Sequence, residues 1–166
     1  MHIFLTCRVR IMMIQNLLNA LAIRLESGPL SLDANHLCSL KVNELDMTLE
    51  RLEQQNTLFV YLSVGTLSTP ASSTLLSNIL AANLFHYGSS DGAAFGLDEK
   101  NNEVLLFQRF DPSRIDEDDF VSACVQMIEV ANLWRPKLLH SHSAPLASSS
   151  RLTKTDLMLT MAGTIR

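Results

Sequence analysis

The spacing of apolar residues changes along the chain from a helical period to a strand period, and this change restricts the fold most. Across residues 11–25 apolar side chains recur every three or four positions, which predicts a helix that Gly28-Pro29 ends. Across residues 36–64 apolar residues instead alternate with others, which is typical of strands. The alternation breaks at 44–46 and 53–56, and such short gaps favour antiparallel hairpins. This region is therefore predicted to be a three-stranded meander.

The second half of the chain repeats the same change of period. Residues 73–85 have helical spacing and predict a second helix, and residues 93–97 and 104–110 predict a hairpin of two strands. A third helix is predicted from Phe120 to beyond Trp134, after which the chain becomes serine-rich. Because short links join neighbouring strands, the predicted class is α+β, with the order α-β-β-β-α-β-β-α and an antiparallel sheet.

Length and charge exclude several classes of function. A chain of 166 residues favours one domain with its own core, which we expect at 12–139, between an N-terminal extension at 1–11 and a mobile tail at 140–166. The net charge of −4 argues against a nucleic-acid partner. The apolar start is too short for a membrane span and lacks the charge order of a secretory signal, so a soluble, cytoplasmic protein is expected.

The sequence lacks the parts of a catalytic or metal site. No phosphate-binding glycine motif, nucleophile elbow or zinc-protease motif is present, and the three cysteines form no C-x-x-C pair. His140 and His142 are read as a chance pair, and the acidic run at 116–119 as the favourable start of a helix. His36 and Cys38 share one face of a strand, which leaves a cysteine-dependent enzyme as a weaker alternative. No metal, no cofactor and no catalysis are predicted.

Large apolar residues on both faces of some strands are the feature that remains unexplained. Phe59 and Tyr61 lie opposite the apolar face of the third strand, and Leu105 and Phe107 lie opposite that of the last strand. Two interpretations stay open on the pattern alone. Helices cover both faces and all four residues are core, or the four belong to a surface that binds another protein.

Three segments resemble a known family, the class I chaperones of bacterial type III secretion typified by the Tir chaperone. They are LDANHLCSLKVNE at 32–44, LLSNILAAN at 75–83 and FGLD at 95–98. Family members have a similar strand of the form D-x-x-x-x-C-x-L-x-[IV]-[DN], a helix of the form L-L-x-x-[LI]-L-x-A-N, and a G-L-D strand. The likeness spans about residues 12–139. Residues 1–11 precede the family's usual start, with Met12-Met13 as a plausible initiation site, and the tail is longer than expected.

The resemblance implies a homodimer in the cytoplasm of a Gram-negative bacterium, where it captures a secreted effector. The chaperone would keep the effector's N-terminal segment extended and secretion-competent, and a secretion ATPase is a further candidate partner. A non-secretory protein-binding adaptor is the main alternative. Within this interpretation, the candidate partner-binding residues are Met12, Ile23, Leu37, Phe59 and Tyr61. The candidate dimer contacts are Leu76, Leu80, Leu105 and Phe107.

Overall fold

The computed structural model describes the backbone of residues 2–67, 73–86 and 88–141, and the side chains of residues 11–67, 73–86 and 88–139. Within these residues the order is the predicted one, with three helices and five strands. They are α1 (His2–Leu25), β1 (Leu37–Val42), β2 (Leu45–Leu52), β3 (Thr57–Thr66), α2 (Ser73–Asn83), β4 (Ala94–Asp98), β5 (Glu103–Phe110) and α3 (Glu117–Ser141).

The five strands form one antiparallel sheet in the order β1-β2-β3-β5-β4, which confirms the predicted α+β class. The β1–β2 hairpin has a two-residue turn because Val42 faces Leu45 in the register, and Asn43 takes the left-handed conformation that such a turn requires. β1 and β4 are the outer strands, so each has one edge without a neighbouring strand in the sheet.

The core lies on one side of the sheet, where α3 packs across β3 and α1 packs against α3. Alternation puts every second residue of each strand on this side, as the sequence predicts. On β3 the buried apolar set is Leu58, Val60, Leu62 and Val64, and on α3 it is Phe120, Cys124, Met127, Ile128, Ala131, Trp134 and Leu138.

All three helices differ at one end from the predicted limits. α1 begins at His2, so residues 2–11 continue the same helix as residues 12–25. α2 ends at Asn83 and not near Phe85, because Phe85 has a φ of 52° that interrupts the helix. α3 continues to Ser141, and the rest of the predicted tail, 142–166, lies outside the described residues.

Trp134 ties the end of α3 to the loop that follows α2. Its indole N–H donates to the Gly88 carbonyl at 3.0 Å, and its ring centroid lies 4.9 Å from that of Phe95 on β4. The three elements α2, α3 and β4 are thereby joined at one point. Among the described segments, no helix combines the length and hydrophobicity needed to cross a bilayer.

Candidate partner-binding surfaces

The side of the sheet that faces away from the helices carries an apolar groove. Tyr61 of β3 pairs directly with Phe107 of β5, and Leu105 lies two residues before Phe107 on the same face. The groove is lined by Glu50, Leu52, Phe59, Tyr61, Leu105 and Phe107. Phe107 is 36% exposed and the other three large residues of β3 and β5 are half-buried, so the groove is open to solvent. Within the described residues, helices therefore do not cover both faces of the sheet, and these four side chains lie at its surface.

The surroundings of Tyr61 in the groove favour the neutral form of its hydroxyl by raising its pKa. The pKa of Tyr61 is raised, first by burial and then by the negative charge of Glu50, while a hydrogen bond with Thr48 opposes the shift. A neutral phenol can donate or accept a hydrogen bond beside an apolar ring. The groove can therefore bind apolar side chains and one polar group at its rim.

The five predicted partner-binding residues fall on two surfaces. Leu37 faces Glu50 in the register, and Glu50 faces Phe59, so Leu37 shares the open sheet face with Phe59 and Tyr61. Met12 and Ile23 lie on α1 in the helical layer and are 65% and 79% exposed. The structure therefore brings three of the five residues to one face and leaves two elsewhere.

The predicted dimer contacts also divide between two surfaces. Leu76 and Leu80 lie on the outer face of α2, while Leu105 and Phe107 line the sheet groove beside Phe59 and Tyr61. The exposed apolar surface at α2 is larger than predicted, because Leu84 and Phe85, in the turn directly after the helix, are also exposed, at 59% and 75%. The exposure of Leu84 could have been predicted from the sequence, because positions 76, 80 and 84 recur every four residues, as on one face of a helix. We name the exposed set Leu76, Leu80, Leu84 and Phe85 the α2 apolar face.

Asn83, at the end of α2, closes the outer edge of β4. Its side-chain amide donates to the Phe95 carbonyl at 3.0 Å, and its side-chain oxygen accepts from the Phe95 N–H at 2.7 Å. The amide thus takes the place that a neighbouring strand would have at this residue. Sequence reasoning missed this role, although Asn83 is the last residue of the LLSNILAAN segment.

Among the described residues, the outer edge of β1 is closed only at its first residue, Leu37, and stays open beyond it. Val42 and Leu45 flank the two-residue turn and form a hydrogen-bonded pair, and such pairs alternate along a hairpin. Leu37, Ser39 and Lys41 therefore direct their backbone groups away from β2. As this assignment requires, the Leu37 carbonyl accepts from the Asp33 N–H at 2.7 Å, and the Leu37 N–H donates to the Asp33 side chain at 2.9 Å. The edge at Ser39 and Lys41 is suited to pairing with an added strand.

The acidic run before α3 caps the helix, as predicted. The Asp116 side chain accepts from the Asp119 N–H at 2.8 Å, and its carbonyl accepts from the Phe120 N–H at 3.1 Å. No group of three or more His, Cys, Asp or Glu among the described residues could hold a metal ion. His142 and the side chain of His140 lie outside the described part, so that pair is not covered.

Cys38 is in a poor environment for a nucleophile. It is 5% exposed, and its thiol pKa is raised first by burial and further by the charge of Asp33, while the Ser31 N–H opposes the shift. The His36 imidazole lies 3.5 Å from the Glu53 carboxylate, which in turn contacts Arg51. Burial of the thiol counts against a cysteine-dependent mechanism.

Solved structures with the same arrangement are complexes of secretion chaperones. The ExsC–ExsE complex matches with a TM-score of 0.62 and 22% identity over 81% of this chain and 96% of the other. The HopA1–SchA chaperone–effector complex gives 0.56 and 19% over 76% and 92%. The Yersinia pestis type III secretion chaperone SycH, with a fragment of YscM2, gives 0.55 and 18% over 70% and 95%. The fold is that of type III secretion chaperones.

The sequence also identifies the protein family. The model of the Tir chaperone protein (CesT) family matches residues 16–135, which is most of the chain. The chain therefore belongs to the Tir chaperone protein (CesT) family, and the resemblance predicted from its three segments is confirmed. No curated protein matches the chain at a significant level.

Proposed function

We propose that this chain is a type III secretion chaperone that binds the N-terminal segment of a cognate effector in extended form in the bacterial cytosol. The observation that carries the proposal is the apolar groove on the open sheet face of a chain that belongs to a chaperone family. Similar structures whose names describe chaperone–effector complexes support it. The protein acts by binding and not by catalysis, in line with the buried Cys38 thiol.

An extended effector segment can use both the groove and the open edge of β1. Each large apolar side chain that enters the groove contributes about 1.5–3 kcal/mol, less the cost of ordering the segment. Backbone groups of Ser39 and Lys41 can pair with the same or a neighbouring part of the segment. A few such contacts hold a disordered client without requiring it to fold.

We further propose that the α2 apolar face is the contact between two copies in a homodimer. Four exposed apolar residues on α2 and the turn directly after it favour association, and a two-fold axis would place the same surface on both subunits. Leu105 and Phe107, predicted as dimer contacts from the sequence, line the groove with Phe59 and Tyr61, so we assign them to the client. The secretion ATPase is a third partner, to be recruited with the loaded complex.

Tagged co-purification from the native host, followed by mass spectrometry and by measurement of the complex's mass in solution, tests both assignments. The double change Phe59→Ser and Tyr61→Ser should abolish effector recovery and leave the dimer intact, as should Leu105→Ser with Phe107→Ser. Leu76→Ser with Leu80→Ser should give monomers instead. The matched control is Leu133→Ser with Leu139→Ser, which changes two exposed leucines of α3.

Three results would count against the proposal. Recovery of no secreted protein by the unaltered chain would contradict the chaperone function itself. Full effector recovery by the Phe59 and Tyr61 variant would contradict the groove as the client site. Monomers from the Leu105 and Phe107 variant would restore the sequence-based dimer assignment for those residues.

A further inference from the structure

A second groove lies on the helical layer, between the middle of α1 and the start of α3. Two adjoining hollows form it and share Asn16, Glu117 and Asp118 in their linings. Most of the other lining residues are apolar, with Ile23 79% exposed at one end and Met13 37% exposed at the other. Exposed apolar area of this kind is suited to binding another segment of chain.

The charge of this α1–α3 groove is negative on its α3 side. Glu117 and Asp118 are exposed, and neither forms an ion pair within the described residues. Arg24 is the one basic residue among the described side chains that line the two hollows. An occupant that combines apolar residues with two or more positive charges would therefore complement the groove.

The chain itself supplies such a segment in residues 151–165. In a protein of net charge −4, residues 142–166 contain three basic residues and a single acidic one, Asp156. If residues 151–165 are drawn on a helical wheel, Arg151 and Lys154 share one side with Met158, Met161 and Ile165. The basic residues come first and the apolar ones follow, so the segment has both features of the required occupant.

The length of the chain allows this segment to reach the groove. The part of α3 from Asp118, in the groove lining, to Ser141 rises about 35 Å, at 1.5 Å per residue. The ten residue steps from Ser141 to Arg151 span up to about 33–36 Å, so the connecting segment reaches the groove when it is extended. Residues 142–150 are rich in serine and alanine and carry no acidic or basic charge at neutral pH apart from any on His142, as expected of a connecting segment.

We propose that residues 151–165 fold back and occupy the α1–α3 groove of the same chain. Arg151 and Lys154 pair with Glu117 and Asp118, and the apolar residues that follow cover Ile23 and its neighbours.

Photo-crosslinking of the full chain without an effector tests the docking. With benzoylphenylalanine in place of Ile23, the crosslinked peptide should come from residues 151–166, whereas the same probe at the exposed Leu133 should not capture that peptide. Mixing unlabelled and ¹⁵N-labelled chains before irradiation separates intrachain products from interchain products by mass. Because no effector is present, a negative result leaves the proposed chaperone function standing.

Charge reversal then tests the electrostatic part. Arg151→Glu with Lys154→Glu should lower the yield from the Ile23 probe about fivefold or more, as expected for the loss of two exposed ion pairs. Adding Glu117→Lys with Asp118→Lys should restore the yield, with circular dichroism to verify folding. Lys100→Glu with Arg109→Glu makes the same charge change elsewhere and should have no effect. Mixed-label products, equal capture from Leu133, or no capture of the tail would each overturn the proposal.

Discussion

The two outer strands of the sheet differ in what lies beside them. Along β4, Asn83 from α2 offers a donor and an acceptor to Phe95, so a helix occupies the place of a sixth strand. Along β1, Asp33 takes both backbone groups of Leu37, with its N–H on the carbonyl and its side-chain oxygen on the N–H, and the rest of the edge, at Ser39 and Lys41, faces outward without a partner among the described residues. The β4 edge is therefore covered by the protein's own α2, whereas the open part of the β1 edge is suited to a partner that binds as an extended chain.

The difference matters because a sheet with two open edges can pair with other chains at either side. Closing the β4 edge directs strand addition to β1 and leaves the α2 side to a contact between helices. We therefore expect an extended client at the β1 side of the sheet and a contact between helices at the α2 side. Three changes would test it.

Removal of the Asn83 amide should have the largest effect. Asn83→Ala deletes both hydrogen bonds to Phe95 and leaves its half-shielded N–H and carbonyl without a protein partner. We expect the free energy of unfolding, measured by urea denaturation, to fall by about 2–3 kcal/mol. Asn78→Ala, on the exposed face of the same helix, should change it by less than about 0.5 kcal/mol. Equal losses of unfolding free energy in the two variants would show that the Asn83–Phe95 hydrogen bonds do not stabilise the fold.

Proline at the open edge should weaken client binding with a smaller effect on stability. Lys41 directs its N–H away from β2, so Lys41→Pro removes no ladder hydrogen bond, and proline is tolerated at such edge positions. If the client adds a strand here, its affinity should fall about tenfold, or about 1.4 kcal/mol. Leu40→Pro, one residue earlier, breaks the ladder and should unfold the hairpin. Unchanged effector binding in Lys41→Pro would place the client away from this edge.

Cys38, on the buried face of β1, should react only slowly with thiol reagents. In a Cys7→Ser background, native Cys38 should react with iodoacetamide at neutral pH about tenfold or more slowly than in the urea-unfolded chain, because burial raises its pKa. The raised pKa also means that stability is fully present below the usual thiol range and declines as the pH rises through the folded value. Fast native labelling would revive the cysteine-enzyme alternative.

The sequence predicts the elements and the core well because both depend on local periodicity. Alternation fixed which face of β3 holds Leu58 and Val60, and a helical stripe fixed the buried face of α3 from Phe120 to Trp134. Alternation does not say which strands become neighbours. The register that sets Tyr61 beside Phe107 depends on β5 pairing with β3 after the chain has passed through α2 and β4.

The residues that sequence reasoning missed are those whose role depends on a distant partner. Nothing in the local pattern distinguishes Asn83, which pairs with β4, from Asn78, which faces solvent on the same helix. Likewise, the exposure of Phe85 follows from a left-handed φ at that residue, which local spacing does not reveal. The role of Asn83 and the exposure of Phe85 depend on the folded structure and not on local sequence spacing.

The position of Trp134 gives the molecule an optical reporter of its own. It is the single tryptophan of the chain, it is buried, and it meets the loop after α2 and the ring of Phe95 at one point. An indole shielded in this way emits at shorter wavelength than one in water. Its emission colour therefore monitors whether α2 stays attached to the sheet, and a tryptophan-free client could be titrated in without adding a dye.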